Sequence, residues 1–223
     1  MRKQALVIGL GQFGMALVEA LAARKVDVLA ADRDPDLVQL ATRFTVEAVT
    51  FNAVDEVALG RAAPANRDLA ICAIGTDRES SIICTALLRQ LGAPRVIARA
   101  TDPVHERILH LVGAHEVVNP DQDFGRRLAK RLLFSGMLDA VPLGDDLSIV
   151  ELRTPRSFVG KTLMELALPK RHGITVAAIR RPGTDRNGVL EPPRVDRPLS
   201  EEDVLVIVAP ETAIERLAER NGQ

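Results

Sequence analysis

The segment Gly9-Leu10-Gly11-Gln12-Phe13-Gly14 limits the possible folds of this chain more than any other feature. It follows a short apolar run and opens a stretch with apolar residues at helical spacing, as at a strand-to-helix turn. At this spacing Gly9 permits a tight turn, Gly11 lets a pyrophosphate approach the backbone, and Gly14 allows close helix–strand packing. The segment therefore predicts a βαβ unit whose helix start presents N–H groups to phosphate oxygens.

The first 120 or so residues repeat this alternation of short apolar runs and amphipathic stretches. The runs hold mainly Val, Ile, Leu and Ala without polar alternation, as in strands that are covered on both faces. We predict an α/β fold, a Rossmann-type doubly wound parallel sheet. Its strands are Ala5–Ile8, Val26–Ala31, Ala48–Phe51, Leu69–Ile74, Val96–Ala100 and Glu116–Val118. Its helices include Phe13–Arg24, Pro35–Arg43, Glu79–Leu91 and Val104–Val112.

Asp32 stands at the end of the second predicted strand, directly after Ala31 and 18 residues after Gly14. A carboxylate about 20 residues after the glycines accepts hydrogen bonds from ribose hydroxyls in dinucleotide-binding folds. It would also repel a 2′-phosphate, which disfavours NADP. The alternative is that the glycines serve only helix packing and that Asp32 is solvated.

Other candidate binding residues lie where further predicted strands end, at the edge where parallel strands place ligands. Small residues in Ala73-Ile74-Gly75 would let an adenosine lie against the backbone. Asn52 and Ala53 follow the third strand. Arg99 would neutralise phosphate charge, although an exposed arginine without this role fits the sequence equally well.

The pattern changes after residue 120. Asp121–Leu138 resembles one long helix with an apolar face, and Val141–Asp146 has the turn residues of a linker. We therefore expect a nucleotide-binding domain over residues 1–140 and a smaller α+β domain over residues 144–223. Strands are expected at Leu147–Leu152, Ile174–Ile179 and Val204–Val208, and helices at Lys161–Leu168 and Thr212–Arg220, with an exposed hairpin or loop over Pro182–Pro198.

Composition excludes several classes of function. The net charge of −1 and the small aromatic content of 3% disfavour nucleic-acid binding. No apolar run approaches the roughly 20 residues that span a bilayer, and no signal peptide is evident, so a cytoplasmic protein is expected. Cys72 and Cys84 lie in apolar stretches and are expected to be buried, reduced thiols. His105, His110 and His115 recur every five residues, which is poor spacing for metal ligands.

No catalytic arrangement is evident. The chain lacks a Gly-x-Ser-x-Gly elbow, a Walker-A lysine loop and a His-Glu-x-x-His motif. Ser80-Ser81 fits a helix N-cap better than a nucleophile, because no base partner is evident. We therefore expect a protein that binds a nucleotide without turning it over.

Taken together, the glycine loop, Asp32, Asn52-Ala53, Ala73-Ile74-Gly75 and the two-domain layout resemble the RCK family, the regulators of K⁺ conductance. The similarity is greatest to the KtrA/TrkA-type cytosolic subunits of bacterial potassium uptake systems. It extends through Ile108–Pro120, with Gly113-Ala114 and Asn119-Pro120, and through Ser148–Leu152 to Asp203–Val208. The later stretches distinguish the chain from dehydrogenases, which share only the N-terminal part.

This resemblance implies a cytosolic gating subunit, not an enzyme, that binds ATP, ADP or NAD(H). Dimers would assemble through the helix after Pro120 into a ring, usually an octamer, under a KtrB/TrkH-like membrane subunit that translocates K⁺. The resemblance also implies a second ligand, such as cyclic di-AMP, in the C-terminal domain. By position, the implied nucleotide site comprises Gly9, Leu10, Gly11, Gln12, Phe13, Gly14, Asp32, Arg33, Asp34, Asn52, Ala53, Ala73, Ile74, Gly75, Arg99, Ala100, Thr101 and His105.

Three departures from the family pattern affect the ligand predictions. Gln12 stands where related sequences often have an arginine, so one phosphate-binding charge is absent. Asp121 falls where a glutamate can help to hold a divalent cation, Mg²⁺ or Ca²⁺, near the γ-phosphate; the alternative is that Asp121 only caps a helix. Pro182–Pro198 is longer than usual, which leaves the C-terminal ligand open.

Two other functions are alternatives to the gating of a K⁺ transporter. One is an NAD-dependent oxidoreductase with a small substrate domain. The other is a nucleotide-sensing regulator of another cation transporter or antiporter.

Overall fold

The glycine segment joins the first strand of a six-stranded parallel sheet to a helix, as the sequence predicts. The computed structural model describes residues 2–134, 136–144, 146–182 and 188–221. The chain divides into two compact units, residues 1–122 and 123–223.

The first unit has the strand order β3-β2-β1-β4-β5-β6, which is typical of dinucleotide-binding folds. All neighbouring strands are parallel. The strands are β1 (Gln4–Ile8), β2 (Asp27–Asp32), β3 (Glu47–Thr50), β4 (Leu69–Cys72), β5 (Val96–Arg99) and β6 (Glu116–Val118). The helices are α1 (Gln12–Ala23), α2 (Pro35–Ala41), α3 (Glu56–Arg61), α4 (Arg78–Gln90), α5 (Pro103–Leu111) and α6 (Pro120–Leu133), the last of which continues into the second unit.

Both faces of this sheet are buried. Along β1, Leu6 belongs to one apolar cluster and its neighbour Val7 to another, as expected because successive strand residues point to opposite faces. Leu88 and Leu109 lie in the first cluster and Val18 in the second, so helices cover both sides. This explains why the strands lack polar alternation.

The glycine loop depends on two close backbone contacts. Gly9 has a φ of +94°, and a Cβ there would lie 2.9 Å from the backbone nitrogen of Ile74. A Cβ on Gly14 would lie 1.8 Å from the carbonyl oxygen of Gly9. The first turn of α1 therefore packs directly on the end of β1, which only glycine at position 14 allows.

The second unit contains a five-stranded antiparallel sheet of order β10-β9-β11-β8-β7. Val150, Ile179 and Ile207 contribute to its buried core. The strands are β7 (Met137–Leu143), β8 (Leu147–Arg153), β9 (Thr175–Arg181), β10 (Val189–Glu191) and β11 (Val204–Pro210). The helices are α7 (Leu163–Leu166), α8 (Leu168–His172) and α9 (Glu211–Asn221).

The predicted helix Asp121–Leu138 and the predicted linker Val141–Asp146 are wrong in part. The helix ends at Leu133, and Met137–Leu143 forms β7, which pairs with β8 in the second sheet. Pro142 suggested a turn, but a proline is tolerated in β7 because this is an edge strand with fewer ladder hydrogen bonds to make. Residues 137–140 therefore belong to the sheet of the second unit.

Smaller differences concern short elements. Helix α3 was not predicted. In place of the predicted helix Lys161–Leu168 there are two short helices, α7 and α8, and Pro169 lies in the first turn of α8, where its missing N–H costs little. Of the predicted loop Pro182–Pro198, residues 189–191 form β10 and residues 183–187 lie outside the described residues. Cys72 and Cys84 are buried and free, which confirms their prediction.

Among the described residues, no helix combines the length and the apolar character that crossing a membrane requires.

The glycine packing gives a stability prediction. Gly14→Ala should lower the free energy of unfolding by about 1–3 kcal/mol, because the new methyl group meets backbone and not a movable side chain. Gly60→Ala is the matched control, since Gly60 also lies in a helix and its Cβ would have ordinary contacts only. That change should raise stability by about 0.4–1 kcal/mol. Urea titration measures both, and equal stability of the two variants would contradict the packing argument.

Candidate functional site

The carboxyl ends of five parallel strands bring the predicted site residues to one edge of the first sheet. The glycine loop follows β1, and four further groups lie at the carboxyl ends of the next strands. His105 lies in the first turn of α5, and Asp121 in the first turn of α6, which also begin at this edge. The groups at the ends of β2 to β5 are Asp32–Asp34, Asn52–Ala53, Ala73–Gly75 and Arg99–Thr101.

Helix α1 begins without a capping side chain. Its N-cap residue is Gly11, no side chain accepts a hydrogen bond from the first turn, and that turn contains no acidic residue. A Cβ on Gly11 would meet no atom within 4 Å, so the space beside this helix start is open. The unpaired N–H groups and the positive end of the helix dipole make this an anion-binding position.

The other five helices that begin at this edge are capped by their own side chains. A carboxylate or amide oxygen accepts backbone N–H bonds at each start, and hydrogen bonds from Ser80 and from the His105 backbone lower the pKa of the capping carboxyls of α4 and α5. A carboxylate there already pairs with the N–H groups and neutralises the positive end of the helix dipole. An anion would therefore gain little by binding at these helix starts. The capping residues of α2 to α6 are Asp34, Asp55, Asp77, Asp102 and Asn119.

The carboxylate of Asp32 holds the glycine loop from the side. It accepts hydrogen bonds from the backbone nitrogens of Leu10 at 2.6 Å and Asp34 at 2.9 Å. A carboxylate offers about four lone-pair positions, so two remain for the hydroxyls of a ribose. The sequence indicated the ribose role but not the contact with Leu10, which depends on the loop conformation.

Arg99 extends from the end of β5 across the glycine loop. Its guanidinium carbon lies 5.5 Å from the centre of the Phe13 ring. It also lies against Gly75, where a Cβ would be 2.7 Å from Nη1 of the arginine. Nη2 donates to Oδ2 of Asp121 at 2.8 Å, and the buried Nε has no hydrogen-bond partner among the described residues.

His105 is fully buried and has one nitrogen without a partner. Its Nδ1 accepts from the backbone nitrogen of Thr101 at 3.4 Å, and the Thr101 hydroxyl lies 3.2 Å away. Burial lowers the pKa of the imidazole and the charge of Arg78 adds to this, while Asp102 opposes it. A neutral ring whose Nδ1 accepts from the Thr101 backbone carries its proton on Nε2, and no described residue pairs with that nitrogen.

Asp121 does not cap α6. Asn119 does so, because its Oδ1 accepts from the backbone nitrogen of Gln122 at 3.1 Å. Asp121 is instead the ion-pair partner of Arg99. No group of three or more His, Cys, Asp or Glu side chains in the described part of the chain could hold a metal ion, and a cation site at Asp121 stays a prediction.

The remaining predicted residues lie at the rim of the edge. Asn52 accepts a bond from the backbone of Val54 at 3.3 Å, and Arg33 forms an ion pair with Asp77 at 3.7 Å. The edge as a whole presents N–H donors and arginines around an open helix start. This chemistry suits binding of an anion with a ribose attached.

Two family models match the chain. Residues 5–120 match the TrkA-N domain, and residues 147–222 match the TrkA-C domain. Ktr system potassium uptake protein C of Bacillus subtilis (strain 168) is 32% identical over 220 residues, which are 99% of this chain and 98% of that protein. Ktr system potassium uptake protein A of Vibrio alginolyticus is 32% identical over 209 residues, 94% of this chain and 93% of that protein.

Solved structures share the fold. The RCK domain of GsuK superposes with a TM-score of 0.69 at 21% identity, covering 100% of this chain and 48% of that one. The GsuK channel bound to NAD gives the same score and identity and is covered to 40%. The GsuK structures show the fold, and the two family models with the Ktr relatives show that the chain belongs to the TrkA family of potassium uptake proteins, with a TrkA-N domain followed by a TrkA-C domain.

Proposed function

We propose that the first unit binds an adenine nucleotide, ATP, ADP or NAD(H), with its phosphates at the start of α1. The observation that carries this proposal is the open, uncapped start of α1 at an edge where the five other helices are capped. A diphosphate supplies the acceptors that the first N–H groups of α1 lack.

Two buried nitrogens support the same ligand. Arg99 Nε and His105 Nε2 are the buried side-chain atoms of the described first unit that lack a hydrogen-bond partner, and both are N–H donors. Leaving a buried donor unpaired costs about 1–3 kcal/mol, which a ligand with acceptor atoms would recover. Phosphate oxygens and purine nitrogens are such acceptors.

We further propose that nucleotide binding regulates K⁺ uptake and that the protein is not an enzyme. Ligand binding would shift a symmetric ring, built from homodimers, between two conformations, and the ring would control a KtrB/TrkH-like K⁺-translocating protein at the cytoplasmic face of the membrane. The uptake proteins of Bacillus and Vibrio that align with nearly the whole chain support this role. The GsuK channel, which has this fold, binds NAD.

One experiment tests the proposed function as a whole. The purified protein is titrated calorimetrically with ATP, ADP, NAD⁺ and NADH, and its mass is recorded in each state by light scattering. Saturable binding with a nucleotide-dependent change of mass or shape is expected. Absence of binding to all four would overturn the proposal, and oxidation of NADH with small carbonyl compounds would favour an oxidoreductase.

Gly11→Val separates binding from folding. The side chain would occupy the open space that the pyrophosphate needs, so nucleotide binding should be lost by calorimetry. Urea titration should show a loss of stability of no more than about 1 kcal/mol, the scale of an N-cap change. Gly60→Ala is the control, and unchanged affinity of the valine variant would place the phosphates elsewhere.

Asp32→Asn should weaken nucleotide binding by about tenfold to a hundredfold, because the ribose loses a charged acceptor. The difference in affinity between NAD⁺ and NADP⁺ should shrink, since the charge that repels a 2′-phosphate is removed. Asp27→Asn at the other end of β2 is the matched control and should bind as the wild type does. Calorimetry with both dinucleotides measures these effects. Equal affinities in all three proteins would show that the ribose does not meet Asp32.

The apolar stripe of α6 generates a prediction about assembly. Phe124 and Leu132 lie two turns apart and are 62% and 75% exposed in the single chain. We expect an oligomer of at least a dimer, and Leu132→Asp should weaken its association about tenfold or more. Val46→Asp is the control, because Val46 is also an exposed apolar residue but lies between α2 and β3. Light scattering at micromolar concentration measures both variants, and a monomeric wild type would contradict the prediction.

A further inference from the structure

The Arg99–Asp121 ion pair lies where the proposed nucleotide site meets the start of α6. Arg99 contacts Phe13 in the first turn of α1, Gly75 after β4, and Asp121 in the first turn of α6. One guanidinium therefore joins three segments of the carboxyl edge. Of these, the first turn of α1 is the one with unpaired N–H groups.

The two partners of this ion pair have unequal surroundings. The Arg99 side chain is 19% exposed and its Nε is an unpaired buried donor. The Asp121 side chain is 77% exposed and can be solvated by water once it leaves the arginine. Breaking the pair therefore costs the carboxylate little, whereas the guanidinium needs another anion in its place.

A phosphate at the start of α1 is such an anion. A guanidinium has five N–H donors, and Asp121 receives the hydrogen bond of Nη2. A phosphate group carries more charge than a carboxylate and accepts paired hydrogen bonds from an arginine. Gln12 brings no positive charge to the glycine loop, whereas Arg99 brings one to the first turn of α1 through its contact with Phe13.

We propose that Arg99 exchanges Asp121 for a phosphate of the bound nucleotide, so that Asp121 competes with the ligand and is released from the β5 edge when the nucleotide binds. This proposal rests on the proposed nucleotide site. It makes Asp121 a residue that weakens binding, whereas a cation ligand at this position would strengthen the binding of Mg²⁺–ATP.

The test is a double-mutant cycle of ADP affinity, measured by calorimetry in a buffer that contains EDTA. Asp121→Asn should tighten ADP binding about two- to fivefold, the range expected for an exposed ion pair. In the Arg99→Gln background, the same change should have no effect. The cycle matters because mere repulsion between Asp121 and the phosphates would give the gain in both backgrounds.

Glu116→Gln is the matched control. Arg95, directly before β5, and Glu116, the first residue of β6, form an ion pair at 2.6 Å. This pair lies at the amino ends of the two strands, whereas Arg99 and Asp121 meet at the carboxyl edge. Removal of the Arg95–Glu116 pair should leave ADP affinity unchanged. Equal gains in Glu116→Gln and Asp121→Asn would overturn the proposal.

Hydrogen exchange of the first turns of α6 provides an independent readout. In the wild type, ADP should increase exchange of the amides that follow Asp121, because the tether to Arg99 is lost. In Asp121→Asn, exchange should already be high and should not respond to ADP. Wild-type protein that binds no nucleotide would refute the proposed site itself. Wild-type and Asp121→Asn proteins that bind ADP equally would refute only the exchange.

Discussion

The contact between the first turn of α1 and the end of β1 sets the geometry of the whole nucleotide edge. Gly14 approaches the Gly9 carbonyl so closely that no side chain fits between them, and Gly9 in turn packs on the backbone of Ile74 after β4. The loop is thereby fixed between the central strands β1 and β4. Its N–H groups point at a defined place, and the strand order puts the other site residues around it.

Electrostatics then makes the start of α1 the anion-binding position of this edge. Helix dipoles converge at this edge, and each would attract an anion if its start were open. Aspartates or an asparagine satisfy five of these starts from within the chain. The sixth, at Gly11, keeps its binding capacity. The caps of the other five helices thus contribute as much as the glycine motif to directing an anion to the start of α1.

Much of the first unit follows from the sequence, because buried parallel strands are continuous apolar runs and the glycine spacing has a direct mechanical reason. The second unit is harder, since Met137–Leu143 combines helical spacing with a proline and becomes an edge strand only through its pairing with β8. At the site, Asp32 and Arg99 are identifiable from their positions at the ends of strands. Their contacts with Leu10 and Asp121 depend on the loop conformation and on how segments distant in the sequence meet in the fold. The periodicity of the sequence does not encode either.

The two buried thiols make the opening of the nucleotide-binding unit measurable. Cys72 ends β4 just before the Ala73–Gly75 segment, and Cys84 lies inside α4; both are fully buried, and the chain has no other cysteine. A thiol reagent can reach them only when this part of the sheet and its helix open locally. Since the chain has neither Trp nor Tyr, its intrinsic fluorescence is of little use. The rate of thiol modification instead reports the opening equilibrium, and a ligand bound at the neighbouring loop would slow it by mass action.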